Sequence, residues 1–541
     1  MQLTESGLKD RAAWTQAGYA LPQYDRAAVR EKTLAAPQWI HFGAGNIFRA
    51  FQANLAQRML NDGLMDTGII AAEGFDYEII EKSYRPHDNY SVLVTLKADG
   101  SIEKTVISSV VESMILDSEN DTEFSCLKAV FANPSLQMAT FTITEKGYAL
   151  RTPDGKLLPA VEADFAAGPA KPASYLGKVV ALLYARFQAG AYPVAMVSTD
   201  NCSHNGEKLC QAVSAYAEAW SEKGLVPKAF QEYIANPAKV AFPWSMIDKI
   251  TPRPADSVEK MLQESGLEGT EAVVTSKRTY VAPFVNAEES EYLVVEDAFP
   301  NGRPALEKVG VIFTTRETVN KVERMKVCTC LNPLHTALAV YGCLLGYTSI
   351  CAETKDPELS KLIQVIGYQE GLPVVTNPGV IEPKSFIDTV VNVRLPNPFM
   401  PDTPQRIATD TSQKLSIRFG ETVKAYLADP ALKVSDLKLI PLVYAGWLRY
   451  LMAVDDNGAP FELSPDPLTA TVKPVVDAFK LGDAPTVAEV KDKLQVLLAN
   501  AKIFGVDLFE AGLADTVAQY FIELIAAPGA IRKTLQKYTA R

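Results

Sequence analysis

The chain is poor in histidine and in organised cysteine: four histidines and seven cysteines occur in 541 residues. The cysteines are odd in number and scattered, so they form no disulfide framework, and so few histidines leave little material for a metal cage. Long apolar runs are missing; stretches such as Leu334 to Tyr347 fall short of the roughly 20 residues a bilayer requires. The opening residues, MQLTESGLKDRAAW, lack the apolar segment of a signal peptide. A basic surplus is missing too. The net charge of −11 argues against nucleic-acid and membrane partners, although a local basic cluster still permits an anionic small molecule. No low-complexity tract and no internal repeat is visible. A reduced, cytoplasmic protein, monomeric or a small homo-oligomer, is the expectation.

What is present is globular in composition, and 541 residues exceed one ordinary core, so two domains are expected. PQWIHFGAGN reads as a buried strand ending in a glycine turn. In the next segment, IFRAFQANLAQRMLNDG, Phe48, Phe51, Leu55 and Leu60 fall near helical spacing and Gly63 ends the run. The apolar strand TGIIAAEG follows, which completes a βαβ unit and implies a parallel sheet of the α/β class. A hairpin is read at Asp99-Gly100, with further strands at MATFTITEKG, PVAMVSTDN, EYLVVED and VGVIFTT. From about residue 316 the pattern is helical, which sets the domains at 1–320 and 321–541. Ligands of open parallel sheets bind beyond the carboxyl ends of the strands. Three polar clusters share that address: Gly43 to Asn46, Thr144 to Gly147, and Thr199 to Asn201.

Gly43-Ala44-Gly45 lies between a strand and a helix, the context a pyrophosphate turn requires. The helix N-terminus, with Asn46, Ile47 and Phe48, offers free N–H groups to phosphate. Phe48 stands where the usual fingerprint has a third glycine. Glu73 ends the second strand, where an acid accepts ribose hydroxyls, with Asp76 as a substitute. No arginine follows closely to take a 2′-phosphate, which favours NAD over NADP. Glu145 and Asp200, in the other two clusters, complete the expected cofactor set.

The stretch MKVCTCLNPLH permits two chemistries. Cys328, Cys330 and His335 suggest metal, but no second well-spaced pair completes a four-ligand site, and the cysteines read as small buried residues. Lys326, Asn332 and His335 suggest proton transfer at a carbonyl. A lysine protonates a nascent alkoxide if burial lowers its pKa, and amides donate to the oxyanion. The Asn332-Pro333 pair marks a new helix starting at Asn332, after a separate helix carrying Glu323 and Lys326 on one face. From spacing alone, an ordinary lysine, a capping asparagine and a first-turn histidine remain an open reading. Further on, Arg406, Asp410 and Lys414 recur every four residues along one expected helical face. They read as an exposed ion-pair ladder or as a basic pair holding substrate hydroxyls or a carboxylate.

Seven segments in order, HFGAGNIFRAFQ, TITEKGY, STDNCSHNG, FPWSMIDKITP, EDAFPNGRP, MKVCTCLNPLH and NPFMPDTPQRIATDTSQK, resemble the polyol-specific long-chain dehydrogenase/reductase (mannitol dehydrogenase) family. The resemblance implies a Rossmann-type N-terminal domain with extra strands and a mainly helical C-terminal domain. It also implies NAD(P) chemistry without a metal. By motif it makes Lys326 the acid/base, Asn201 and Asn332 the oxyanion amides, His335 the histidine that positions the substrate and Glu323 an acid on a proton path. It likewise makes Arg406 and Lys414 substrate-binding residues. One departure is visible, since the family usually has one residue fewer between the lysine and the asparagine. Length and the style of PQWIHFGAGNIFRAF are most similar to the fructuronate reductase branch. The expected reaction is therefore NAD-dependent interconversion of D-fructuronate and D-mannonate. Tagaturonate reductase and mannitol 2-dehydrogenase chemistry are the alternatives within the family. A silent NAD-binding sensor and a zinc enzyme using Cys328 and Cys330 stand outside it.

Overall fold

A computed structural model describes residues 1–540. The chain divides into two compact units. One comprises Met1–Lys97 and Ser101–Asn320; the other comprises Ala98–Gly100 and the chain from Lys321 onward.

The first unit is built on six parallel strands: β1 (Trp39–Phe42), β2 (Ile69–Glu73), β3 (Val110–Ile115), β4 (Met138–Phe141), β5 (Val194–Ser198) and β6 (Val240–Ala241). Their spatial order is β3-β2-β1-β4-β5-β6, the doubly wound arrangement whose ligand crevice opens where the order reverses, at β1 and β4. Every residue of β1, β2, β4 and β5 is buried, because both sheet faces are covered. Side chains alternate accordingly. Ile40, Phe42, Ile70 and Ala72 join a core with the helices Tyr175–Gly190 and Asn205–Glu222. Trp39, Ile69 and Ala71 join an opposite core with Leu55, Met59, Leu93 and Val285.

Between β1 and β2 the chain makes two helices, α1 (Asn46–Ala50) and α2 (Gln52–Asn61), where periodicity suggested one. The break is Phe51, with φ −118° and ψ −74°. The hairpin turning at Asp99-Gly100 pairs Ser91–Leu96 with Ile102–Ile107 and belongs to a separate four-stranded sheet. Tyr292–Glu296 and Ile312–Thr314 lie in a three-stranded sheet with Ser245–Asp248.

The second unit is helical among its described residues, apart from an isolated bridge at Val454 and Pro460. Its centre is α5 (Leu439–Tyr450), in which all twelve residues are buried. The Glu370 carboxylate accepts the N–H groups of Lys438, Leu439 and Ile440 at 2.6–2.8 Å, satisfying orphan donors at that helix start.

Before it come α3 (Arg316–Met325), a π-helical turn (Lys326–Cys330) and α4 (Asn332–Leu344). As the sequence suggested, a new helix starts at Asn332, after the non-helical Leu331 (φ −126°, ψ −62°); the helix before it ends in the π-turn, where the Leu331 N–H donates to the Lys326 carbonyl five residues back at 3.1 Å. The wide turn takes up an extra residue inside the helix. Residues Arg316–Leu344 thus form a helical run long and apolar enough to cross a membrane by length and composition, unlike the short apolar stretches read in the sequence. Its most apolar window is 72% buried inside the protein, as core helices are.

Candidate active site

Within the first unit, a cavity of about 500 Å³ opens beyond the carboxyl ends of β1, β2 and β4. Gly43, Gly45, Glu73, Asp76 and Thr144 line it. The two turn glycines serve different ends. Gly43 sits at φ +101°, and a Cβ there would collide with the Thr142 carbonyl, so the turn itself demands glycine. Gly45 has ordinary φ, and a Cβ there would meet nothing within 4 Å. Its missing side chain leaves space at the cavity edge, as a close phosphate approach requires.

Glu73 is 4% exposed, and burial raises its pKa. Its Oε2 accepts the Ala44 N–H at 2.8 Å; Oε1 accepts the N–H groups of Phe75 and Asp76 at 2.7 and 3.0 Å. The carboxylate therefore ties the end of β2 to the glycine turn while facing the cavity. Asp76 accepts from the Thr275 hydroxyl at 2.6 Å.

Asp200 works similarly at the end of β5. It accepts the Ile143 and Thr144 N–H groups at 3.0 and 2.8 Å and the Tyr148 hydroxyl at 2.5 Å, and burial raises its pKa. This joins two of the polar clusters, and Asn201 follows directly in the same turn. Other expected cofactor residues are placed differently. Phe48 lies in the core, stacked on His41 with ring centroids 3.9 Å apart. Asn46 accepts from Arg49 at 2.9 Å, and Glu145 pairs with Lys208 at 2.6 Å on the surface. Asn46, Ile47, Phe48, Glu145 and Asp200 are not among the cavity-lining side chains. Sequence reasoning missed Tyr175, which lines the cavity and whose ring packs against the space a Gly74 Cβ would fill.

In the second unit, the π-turn and α4 carry the Lys–Asn–His set. Lys326 is the first residue of the π-turn and is 4% exposed. Glu323 lies one turn earlier on α3. Asn332 opens α4; its backbone carbonyl accepts the Thr336 hydroxyl at 2.9 Å. His335 is held neutral, with its pKa pushed down to about 4 by burial first of all. Nearby Asp402 opposes that shift, while Arg418, Arg406 and Arg394 reinforce it. His335 Nε2 is 3.6 Å from an Asp402 oxygen, beyond hydrogen-bond range, and is buried without a hydrogen-bond partner among the described residues. A buried ring nitrogen in that state is poised for a ligand hydroxyl.

The expected helical face through Arg406, Asp410 and Lys414 does not form. The helix Pro404–Ile407 stops, Asp410 takes the left-handed conformation (φ +55°), and a new helix runs over Thr411–Leu415. Arg406 pairs with Asp402 instead. The Lys414 ammonium donates to the Ile407 and Thr409 carbonyls, and burial lowers its pKa. The ladder is thus replaced by a basic cluster near His335. Sequence reading missed Arg394 and stopped one step short of Arg418, which continues the four-residue spacing after Lys414.

The cysteines behave as packing residues. Burial raises the Cys328 thiol to about 11 and Cys330 higher still, and Cys330 Sγ donates to the Pro383 carbonyl at 3.8 Å. Neither is a thiolate at neutral pH.

Comparison with known proteins gives a consistent result. The mannitol dehydrogenase Rossmann domain profile matches residues 37–308, and the mannitol dehydrogenase C-terminal domain profile matches residues 318–525. A D-mannonate oxidoreductase from Thermotoga maritima is 51% identical over 100% of this chain and 99% of its own length. Among solved structures, Pseudomonas fluorescens mannitol 2-dehydrogenase in ternary complex with NAD and D-mannitol is 26% identical, with full coverage of both chains and a TM-score of 0.68. A D-sorbitol dehydrogenase in substrate-free form is 25% identical over 98% of this chain and 99% of its own, with a TM-score of 0.80.

Proposed function

From the premise that this chain belongs to the mannitol dehydrogenase family, we propose that it interconverts D-fructuronate and D-mannonate with NAD(H). The observation that carries the substrate assignment is the full-length 51% identity to a D-mannonate oxidoreductase. The first unit supports the cofactor. Gly45 leaves open space beside a helix start, and Glu73 retains carboxylate lone pairs facing the cavity beyond the three N–H groups it accepts. Gly45 and the start of α1 would hold the pyrophosphate through backbone N–H groups, while the Gly43 and Ala44 N–H groups are taken up by the Ala72 carbonyl and the Glu73 carboxylate, and Glu73 would take the ribose. Bound there, NAD(H) would supply hydride-transfer chemistry.

The chain's own residues handle the proton and the substrate. Lys326 delivers a proton to the alkoxide oxygen as it forms and removes it in the reverse direction. The Asn332 amide donates to that oxygen, and Asn201 keeps the matching role that family resemblance assigned it. Neutral His335 uses its unpartnered Nε2 to fix a neighbouring sugar hydroxyl. Glu323, one turn before Lys326, passes protons toward solvent. Arg406 and Lys414 hold the sugar chain. No step uses a metal ion; Lys326 provides the acid that a bound cation would otherwise provide.

NADH oxidation with D-fructuronate, D-tagaturonate and D-fructose tests the reading. D-fructuronate is expected to give the highest kcat/KM. A preference for D-tagaturonate or D-fructose would move the chain to a sister activity, and silence with all three would remove the proposed reaction.

A further inference from the structure

Resting on the sugar-acid reading, we propose that Arg418 is the residue that binds the substrate carboxylate and so separates acids from neutral ketoses. Arg418 lies in the π-turn Ser416–Gly420. Its Nη1 donates to the Thr336 hydroxyl, and that hydroxyl donates to the Asn332 carbonyl. The guanidinium is thereby fixed on the same helical turn that presents Asn332 and His335. Of the three arginines that depress the His335 pKa, it acts most strongly.

The neighbouring cations differ in how their charge is met. Arg406 is matched by Asp402, and Lys414 is turned onto two backbone carbonyls. Arg418 is half-buried, and among the described residues no carboxylate lies within ion-pair distance of it; its one hydrogen bond is to the neutral Thr336 hydroxyl. Burial lowers its pKa to about 10, which still leaves it charged at neutral pH. A cation withdrawn from water without a counter-ion is costly, and a carboxylate ligand relieves that cost. Its Nε and Nη2 have no partner among the described residues, so donors remain for a carboxylate in the geometry arginine favours. The sugar acid and the neutral ketose differ in one group, and Arg418 is the basic residue near His335 that offers it an unmatched charge.

The test is steady-state kinetics of wild type, Arg418→Ala and Arg418→Lys with D-fructuronate and D-fructose, alongside NADH titration. Arg418→Ala should raise KM for the acid at least about tenfold, change D-fructose kinetics little and leave the NADH Kd unchanged. Added guanidinium ion should restore part of the loss on the acid. Equal losses on both ketoses, or a loss in kcat alone, would overturn the assignment. If Arg418→Ala does not fold, Arg418→Lys carries the test, because it keeps the charge but not the fork and should show a smaller rise in KM on the acid alone. Wild type that prefers another sugar acid would sink the D-fructuronate reading while the Arg418 effect is read on that acid. Wild type active only on D-fructose would overturn both.

Discussion

Lys326 combines 4% exposure with a place on a widened helical turn, two residues before the first cysteine of the segment. If it transfers the proton, Lys326→Ala should lower turnover by at least about a hundredfold while NADH binds with unchanged affinity. Near-normal turnover would end the assignment. A second residue speaks to stability. Glu353 is fully buried, its two oxygens lack hydrogen-bond partners among the described residues, and burial pushes its pKa up to about 9. The folded-state pKa is raised above the ordinary value, so the unfolded chain loses its proton first and stability falls as pH rises from about 4.5 to 9. At pH 7 the cost is on the order of 3 kcal/mol. Glu353→Gln should therefore melt at a higher temperature than wild type at pH 8, with the gap narrowing toward pH 5. A gap independent of pH would show that the carboxyl does not titrate there.

At the scale of elements, the β1–α1 turn separates fold from ligand. Gly43→Ala should destabilise the first unit, because its φ of +101° and the Thr142 carbonyl both oppose a side chain. Gly45→Ala has open space around it, so it should melt like wild type and bind NADH more weakly. Equal melting temperatures for the two variants would contradict this division. This turn was legible in the sequence because its signals are local: a buried strand, glycines, a helix start and an acid ending the next strand. The helical second unit was legible for the same reason. Other features were not. Phe48 occupies the fingerprint's third glycine position, yet its side chain belongs to the core, which only the His41 stack reveals. The face through Arg406 and Lys414 obeyed helical spacing, but Asp410 turns left-handed where its N–H reaches the Pro465 carbonyl, a contact distant in sequence. Periodicity cannot register such a partner, nor does it reveal the π-turn ahead of the helix start at Asn332.

The whole molecule is acidic, with a net charge of −11, yet its second unit gathers Arg418, Arg406 and Arg394 about one histidine. No cluster of three or more His, Cys, Asp or Glu side chains suited to a metal ion occurs among the described residues. Exhaustive treatment with EDTA should accordingly leave turnover unchanged, and loss of activity restored by zinc would refute proton transfer by Lys326. The π-turn bears on how such a chain can change in length. Lys326–Cys330 is a π-turn, so it holds one more residue than an α-helical turn would between α3 and the break at Leu331. The turn is thus a place where chain length can change by one residue without a linker.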